Sequence, residues 1–228
     1  MNLTFGIELE FADLRTSVLR RALPSGWECQ GDNSIQNTDG SWSDHLNPSA
    51  MGTEAKTIGG LALETLIEQL PVLYKLVADK GGSVNRTTGI HVHVAFGDWD
   101  ADRLLSLFKY FVDQPSFAKA VGCSKRRFAK QCCRVSAKHM ETVQANISDL
   151  PRLKQLSERV NLIHVPLRQL EVNVLSLLHH GTIEYRAFNQ TMDVQRAINC
   201  ARYADEVTRA ALSGLPLPKP TYPLPEPL

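Results

Sequence analysis

Three segments of the chain alternate apolar and ionisable side chains with a period of two. Over residues 3–11, Leu3, Phe5, Ile7, Leu9 and Phe11 fall on one face of an extended strand, and Glu8 and Glu10 fall on the other. Residues 90–96, IHVHVAF, set Ile90, Val92, Val94 and Phe96 against His91 and His93. Residues 182–188, TIEYRAF, set Ile183, Tyr185 and Ala187 against Glu184, Arg186 and Phe188. Each segment is predicted to be a strand with one face in the core and one face carrying ionisable groups.

Between these strands the period lengthens. Residues 60–79 follow a helical pattern in which Pro71 predicts a break or kink, and Gly81-Gly82 predicts its end. Asp98 or Asp100 is the expected cap of a helix over 101–113, whose stripe is Leu104, Leu105, Phe108 and Phe111. Further helices are predicted over about 149–160 and 193–212, and strands near 161–165 and 168–178. Residues 24–53 are rich in Gly, Asn, Ser and Asp and predict loops with short hairpin strands. The last segment, GLPLPKPTYPLPEPL, holds six of the twelve prolines. It predicts a polyproline-type arm over 214–228, either loose or laid on the surface or on a neighbouring subunit. Strands separated by helices of uneven length predict an α+β fold over residues 1–213, an antiparallel sheet with helices on one face.

Composition narrows the function classes. With 228 residues and 43% hydrophobic side chains, the chain has enough material for one sizeable core. Its 25 Lys and Arg nearly balance its 24 Asp and Glu, so no global field points to nucleic acid or an anionic membrane. No run of about 18 uncharged apolar residues predicts a membrane span. Five cysteines, odd in number and without a C-x-x-C pair, fit reduced thiols and a cytoplasmic protein. One local bias stands out: between Asp113 and Glu141 there are seven Lys or Arg and no acid.

The ionisable faces carry residue types that bind metal ions and phosphates. Carboxylates suit hard cations such as Mg²⁺ or Mn²⁺, imidazole can complete a coordination shell, and a planar guanidinium fork suits phosphate oxygens. Taken singly, E-x-E is usually a solvated face and E-x-R a cross-strand salt bridge; three such pairs, each opposite a core face, point to a site. H-x-H alone suggests zinc or a cupin-like oxygenase. The cupin pattern wants a Glu three or four residues past the second histidine, whereas here Asp98 comes fifth. Asp32 and Ser34 in GDNSI and Glu54 in GTEAKT add loop-borne candidates, with ordinary turn chemistry as the alternative. The basic run could be a solvated helix face or could hold a polyphosphate.

In this order, FGIELEF, GDNSI, Glu54, N-x-x-x-G-I-H-V-H-V at 85–94, R-x-L-x-V-N-V-L-S-L at 168–177 and TIEYRAFNQT at 182–191 resemble the amidoligase family. That family is a branch of the glutamine synthetase and carboxylate-amine ligase superfamily, and the resemblance runs from residue 3 to about residue 210. It implies a curved, mainly antiparallel, glutamine-synthetase-like sheet with helices packed on its outer face, and an ATP- and Mg²⁺- (or Mn²⁺-) dependent ligase that activates a carboxylate as an acyl phosphate. Carried over by motif, Glu8, Glu10, His91 and Glu184 are expected as metal ligands. His91, His93, Arg127 (or Arg126), Asn173 and Arg186 are expected toward the nucleotide, with Arg186 on the γ-phosphoryl group. Glu54 is expected at a metal or as the group accepting the amine's proton. Thr88 stands where many relatives have cysteine, and the segment after Glu54 lacks their Ser-Pro. The expected partners are a small-molecule or peptide carboxylate and an amine, with no nucleic acid and no membrane; relatives often assemble, which leaves a homo-oligomer open. The competing reading is a degenerate, non-catalytic nucleotide- or nucleic-acid-binding module of the same fold, using the basic 119–138 stretch. Retention of both carboxylates, both histidines and the E-x-R pair weighs against it.

Overall fold

The three alternating segments become three adjacent strands of one antiparallel sheet. The computed structural model describes residues 2–44, 46, 51–130, 132–158 and 167–228. Its strands are β1 (Thr4–Arg15), β2 (Trp27–Gly31), β3 (Met51–Thr57), β4 (Gly89–Ala95), β5 (Val172–Asn173) and β6 (Ile183–Asn189), arranged in the order β2-β3-β1-β4-β6-β5. Every neighbouring pair is antiparallel. The helices are α1 (Thr16–Arg20), α2 (Leu63–Asp79), α3 (Ala101–Asp113), α4 (Phe117–Ala120), α5 (Lys125–Lys130), α6 (Ala137–Gln144), α7 (Leu150–Glu158), α8 (Leu177–His180) and α9 (Val194–Ser213). Among the described residues no helix is long and apolar enough to cross a membrane.

The apolar face of the sheet rests on α2, α3 and α9. Phe5, Ile7, Leu9 and Phe11 of β1, with Ile90, Val92 and Val94 of β4, are essentially inaccessible to water. Burial of each such side chain contributes roughly 1.5–3 kcal/mol. Phe11 meets Tyr74 of α2 edge to face at 5.8 Å, Tyr185 of β6 meets Phe111 of α3 at 6.2 Å, and the Tyr185 hydroxyl bonds Thr208 of α9 at 2.8 Å. With that face sealed, the opposite face is left to the ionisable side chains.

Local signals set most helix ends. The Asp100 carboxylate accepts from the Arg103 N–H at 2.8 Å and caps α3, and Asp193 caps α9 in the same way. At the end of α2, Gly81 adopts φ +78°, a left-handed conformation that glycine takes at little cost, and the Gly82 N–H returns to the Val77 carbonyl at 3.0 Å. The proline arm is laid on α9: the Tyr203 hydroxyl donates to the Pro218 carbonyl at 2.6 Å and the Asn199 amide to the Pro223 carbonyl at 2.8 Å.

Four expectations need correction. Helix α2 runs through Pro71 without interruption, and Pro71 lies exposed on its outer side. The predicted strand over 168–178 is a strand only at Val172–Asn173; one-turn 3₁₀ segments at Leu167–Gln169 and Val174–Ser176, then α8, take up the rest. Short buried apolar runs have no period that separates strand from helix. Phe188 lies on the core face, not with Glu184 and Arg186: it pairs with the buried Ile90 and packs against Phe117, which also touches Tyr185. A bulge between Ile90 and Val92 inserts one residue of β6, and a one-residue shift exchanges the two faces. Strand β1 also continues past Phe11 to Arg15 through a register shift, with Asp13 at φ +60°. The strand predicted near 161–165 lies outside the described residues.

Candidate active site

Register brings the ionisable pairs together. Glu8 of β1 stands opposite Lys56 of β3 on one side and His91 of β4 on the other, and Glu10 stands opposite Glu54. His93 stands opposite Glu184 of β6, which stands opposite Asn173 of β5. In non-bulged regions, directly opposed residues project to the same face about 5 Å apart, so the alternation that put Glu8, Glu10, His91 and His93 on single faces now joins them into one surface.

The side chains interlock. The Glu8 carboxylate is 2.9 Å from His91 Nδ1 and 3.5 Å from His93 Nε2. Glu184 pairs with the Arg186 guanidinium, accepts from the Asn173 amide at 2.9 Å, and lies 4.0 Å from His93 Nε2. Glu10 is buried beneath them, where its carboxylate accepts from the Gly89 N–H at 2.6 Å and faces Arg127 Nη1 at 3.5 Å. The Gln30 amide donates to Glu54 at 3.0 Å.

Among the described residues, two groups could hold metal ions. Within each group the donor atoms lie within 4.8 Å of one another: Glu8, His93 and Glu184 in one, and Glu10, Asp32 and Glu54 in the other. The second set is all carboxylate oxygen, the donor type that Mg²⁺ and Mn²⁺ prefer; the first adds one imidazole nitrogen. The electrostatics fit a cation. Burial and then the charges of Glu8, Glu10 and Asp32 push the Glu54 carboxyl up to about 8, which is the strain a bound cation would relieve. Burial likewise raises Glu10. Burial also opposes ionisation of Glu8, yet His91 and His93 outweigh it and hold Glu8 well below the usual carboxylate range. Glu184 is lowered despite its burial, by Arg186 first and then by the two histidines. Among the described residues, Asn173 Oδ1 and Arg186 Nε are buried without a hydrogen-bond partner.

All of these groups but Glu10, which lies beneath the wall, line a cleft of about 480 Å³ together with Lys56. A second cleft of about 420 Å³ meets it at Glu8, Lys56, His93 and His180. Glu8, Glu10, Glu54, His91, His93, Asn173, Glu184 and Arg186 therefore all converge, though in a finer arrangement than the motifs imply. His93, expected toward the nucleotide, groups with Glu8 and Glu184, and His91, expected as a metal ligand and toward the nucleotide, lies 2.9 Å from Glu8 and 3.7 Å from both Glu10 and Glu184. Arg127 comes to the site from behind its wall: it is 1% exposed, its Nη2 donates to the Arg186 carbonyl at 3.1 Å, and it lies 3.5 Å from His91 Nε2. It positions Glu10 and His91 and does not face the cleft. The Arg126 side chain lies outside the described residues. Asp32, a loop-borne candidate with ordinary turn chemistry as its alternative, comes within 4.8 Å of the carboxylates of Glu10 and Glu54. His179, His180 and Ser157 also line the cleft, and only the adjacent histidine pair hinted at this.

A search of the curated proteins returns no match. Residues 60–208 match the model of the family described as "Putative amidoligase enzyme". The matched segment carries the H-x-H and E-x-R strands; the E-x-E strand and Glu54 precede it and join the same site through the sheet. With well over half of its length matched, the chain belongs to the amidoligase family.

Proposed function

We propose that this amidoligase is an ATP- and Mg²⁺-dependent ligase that joins a carboxylate to an amine, on a curved sheet of the glutamine synthetase type. The observation that carries the reading is the pair of carboxylate-containing clusters, Glu8/His93/Glu184 and Glu10/Asp32/Glu54, of which all but the buried Glu10 share one cleft wall with Arg186. Mn²⁺ fits the same donors.

Joining a carboxylate to an amine needs activation, and ATP supplies it by phosphorylating the carboxylate to an acyl phosphate. Phosphoryl transfer asks a protein mainly for positioning and for neutralisation of charge. Arg186 serves both: Glu184 orients its guanidinium, and the residue lines the cleft in which a phosphoryl group would lie. Metal ions held by the two clusters would neutralise the polyphosphate and leave Arg186 for the transferred group. Arg127 and the Gly89 N–H fix Glu10, so this carboxylate is preorganised before any ligand arrives. The amine attacks as its free base; Glu54, which lines the cleft, is the proposed acceptor of its proton when ionised and not engaged by a metal. The acyl phosphate then loses phosphate as the C–N bond forms.

The test is an ADP-release screen with Mg²⁺ against pooled amino acids, peptides and amines, with mass spectrometry to find a condensation product lighter by one water. An ATP–Mg²⁺ thermal shift, lost in Glu8→Ala and Arg186→Ala, supports the reading. No ADP release with any pool, together with no thermal shift, would remove it.

A further inference from the structure

Helix α5 carries Arg127 and is flanked by two cysteines whose sulfurs meet. Cys123 precedes the helix and Cys132 follows it, yet their Sγ atoms are 3.3 Å apart, inside ordinary van der Waals contact. Both ends are tethered: the Cys123 N–H donates to the Ala118 carbonyl at 2.8 Å, and the Cys132 N–H to the Arg127 carbonyl at 3.0 Å. Asn189 fastens the start of the helix, accepting from the Ser124 N–H at 3.0 Å and donating to the Gly122 carbonyl at 2.9 Å. The contact between the sulfurs therefore follows from the path of the backbone. The other thiols are turned elsewhere: Cys29 toward the Thr16 carbonyl, Cys133 toward the Gln169 carbonyl and Cys200 toward the Arg196 carbonyl.

We propose that Cys123 and Cys132 form a reversible disulfide, closing residues 123–132 into a loop that locks α5 and holds Arg127 against Glu10 and His91. A disulfide needs sulfurs about 2.05 Å apart, so each sulfur moves by well under 1 Å. Cys123 is half-buried and Cys132 fully buried, so an oxidant reaches Cys123 first. A hydrogen bond from Cys132 and, after the opposing effect of burial, the charge of Arg127 lower the Cys123 thiol, which supports that order. With hydrogen peroxide as oxidant, the Cys123 sulfur attacks one peroxide oxygen, the O–O bond breaks, and sulfenic acid and one water form. The Cys132 sulfur then displaces hydroxide; this S–O bond breaks, the S–S bond forms, and the Cys132 proton leaves with the hydroxide as a second water. Two thiols are oxidised by two electrons and one peroxide is reduced. A dithiol reverses the change by exchange. The proposal stands independently of the ligase reaction.

The test uses the full chain, reduced, freed of reductant and then exposed to hydrogen peroxide. The expected result is a mass lower by about 2 Da, restored by dithiothreitol. Trypsin cuts after Lys125, Arg126, Arg127 and Lys130, so the bond appears as a cross-link between two peptides. Cys123→Ser and Cys132→Ser each abolish the cross-link, while Cys133→Ser leaves it. Amide hydrogen exchange over residues 124–130 slows on oxidation of the wild-type protein and does not slow in Cys123→Ser. Overoxidation without a cross-link, a cross-link through Cys133, or one between two chains overturns the proposal. A correct cross-link with unchanged exchange at α5 overturns the locking of the helix. Should a serine variant fail to fold, fragmentation of the cross-linked wild-type peptides, which separates Cys132 from Cys133 within QCCR, decides together with the exchange data.

Discussion

Gly89→Ala tests the buried wall of the site with a single methyl group. A Cβ at this position would lie closer than 3.0 Å to the Nη1, Nη2 and Cζ atoms of Arg127, a separation that real structures do not show. In an ordinary strand the change from glycine to alanine stabilises by about 0.5–1 kcal/mol, because glycine loses more backbone entropy on folding. Here it must expel the guanidinium from its ion pair with Glu10, its bond to the Arg186 carbonyl and its contact with His91. Breaking a buried pair costs about 3–5 kcal/mol. Glu10, already raised by burial, takes up a proton and recovers part of that, so the expected loss is about 3 kcal/mol. In an Arg127→Ala background the space is empty and Gly89→Ala should cost under about 1 kcal/mol, giving a coupling of roughly 2 kcal/mol or more. Urea denaturation of the four proteins of the cycle measures this; the single variant should shift the midpoint downward by roughly 1 M at unchanged slope. A Gly89→Ala protein as stable as the wild type, or equally destabilised in both backgrounds, would refute the packing of Arg127 against Gly89.

Three further outcomes follow from the structure. Glu54 has its folded-state pKa raised to about 8 against an ordinary 4.5, so the native state holds the extra proton between those values. In EDTA the protein should therefore lose stability as pH rises from about 5 to 8, by at most about 1.4 kcal/mol per unit for this group; Glu54→Gln should flatten the profile in urea melts, and an unchanged slope counts against the carboxylate cluster. Saturating Mg²⁺ should raise the melting temperature more at pH 8 than at pH 6, since protons and cation compete for one cluster, and Asp32→Asn should weaken that effect; equal shifts at both pH values contradict the metal reading. Asp100→Ala removes the cap of α3 and should cost about 1 kcal/mol in a denaturation experiment while leaving ATP–Mg²⁺ binding unchanged.

Much of this site is written in local periodicity. A strand sends residues i and i+2 to one face where no bulge intervenes, so FGIELEF, IHVHVAF and TIEYRA, though not the Phe188 that follows, by themselves determined which side chains are oily anchors and which face a site; Asp100, Asp193 and Gly81-Gly82 likewise marked helix ends through interactions within a few residues. What periodicity cannot contain is register. Glu8 meets His91 across 83 positions of sequence, and a slip of one residue would have sent every carboxylate to the core. Tertiary structure alone therefore decided that both histidines stand between Glu8 and Glu184, that Asp32 swings in beside Glu10 and Glu54, and that a bulge turns Phe188 inward. It also decided the fate of the basic run. A charge on a short helix reads as solvated until a distant glycine leaves room for it, and Gly89 leaves that room for Arg127, which becomes one of the most deeply buried groups in the protein.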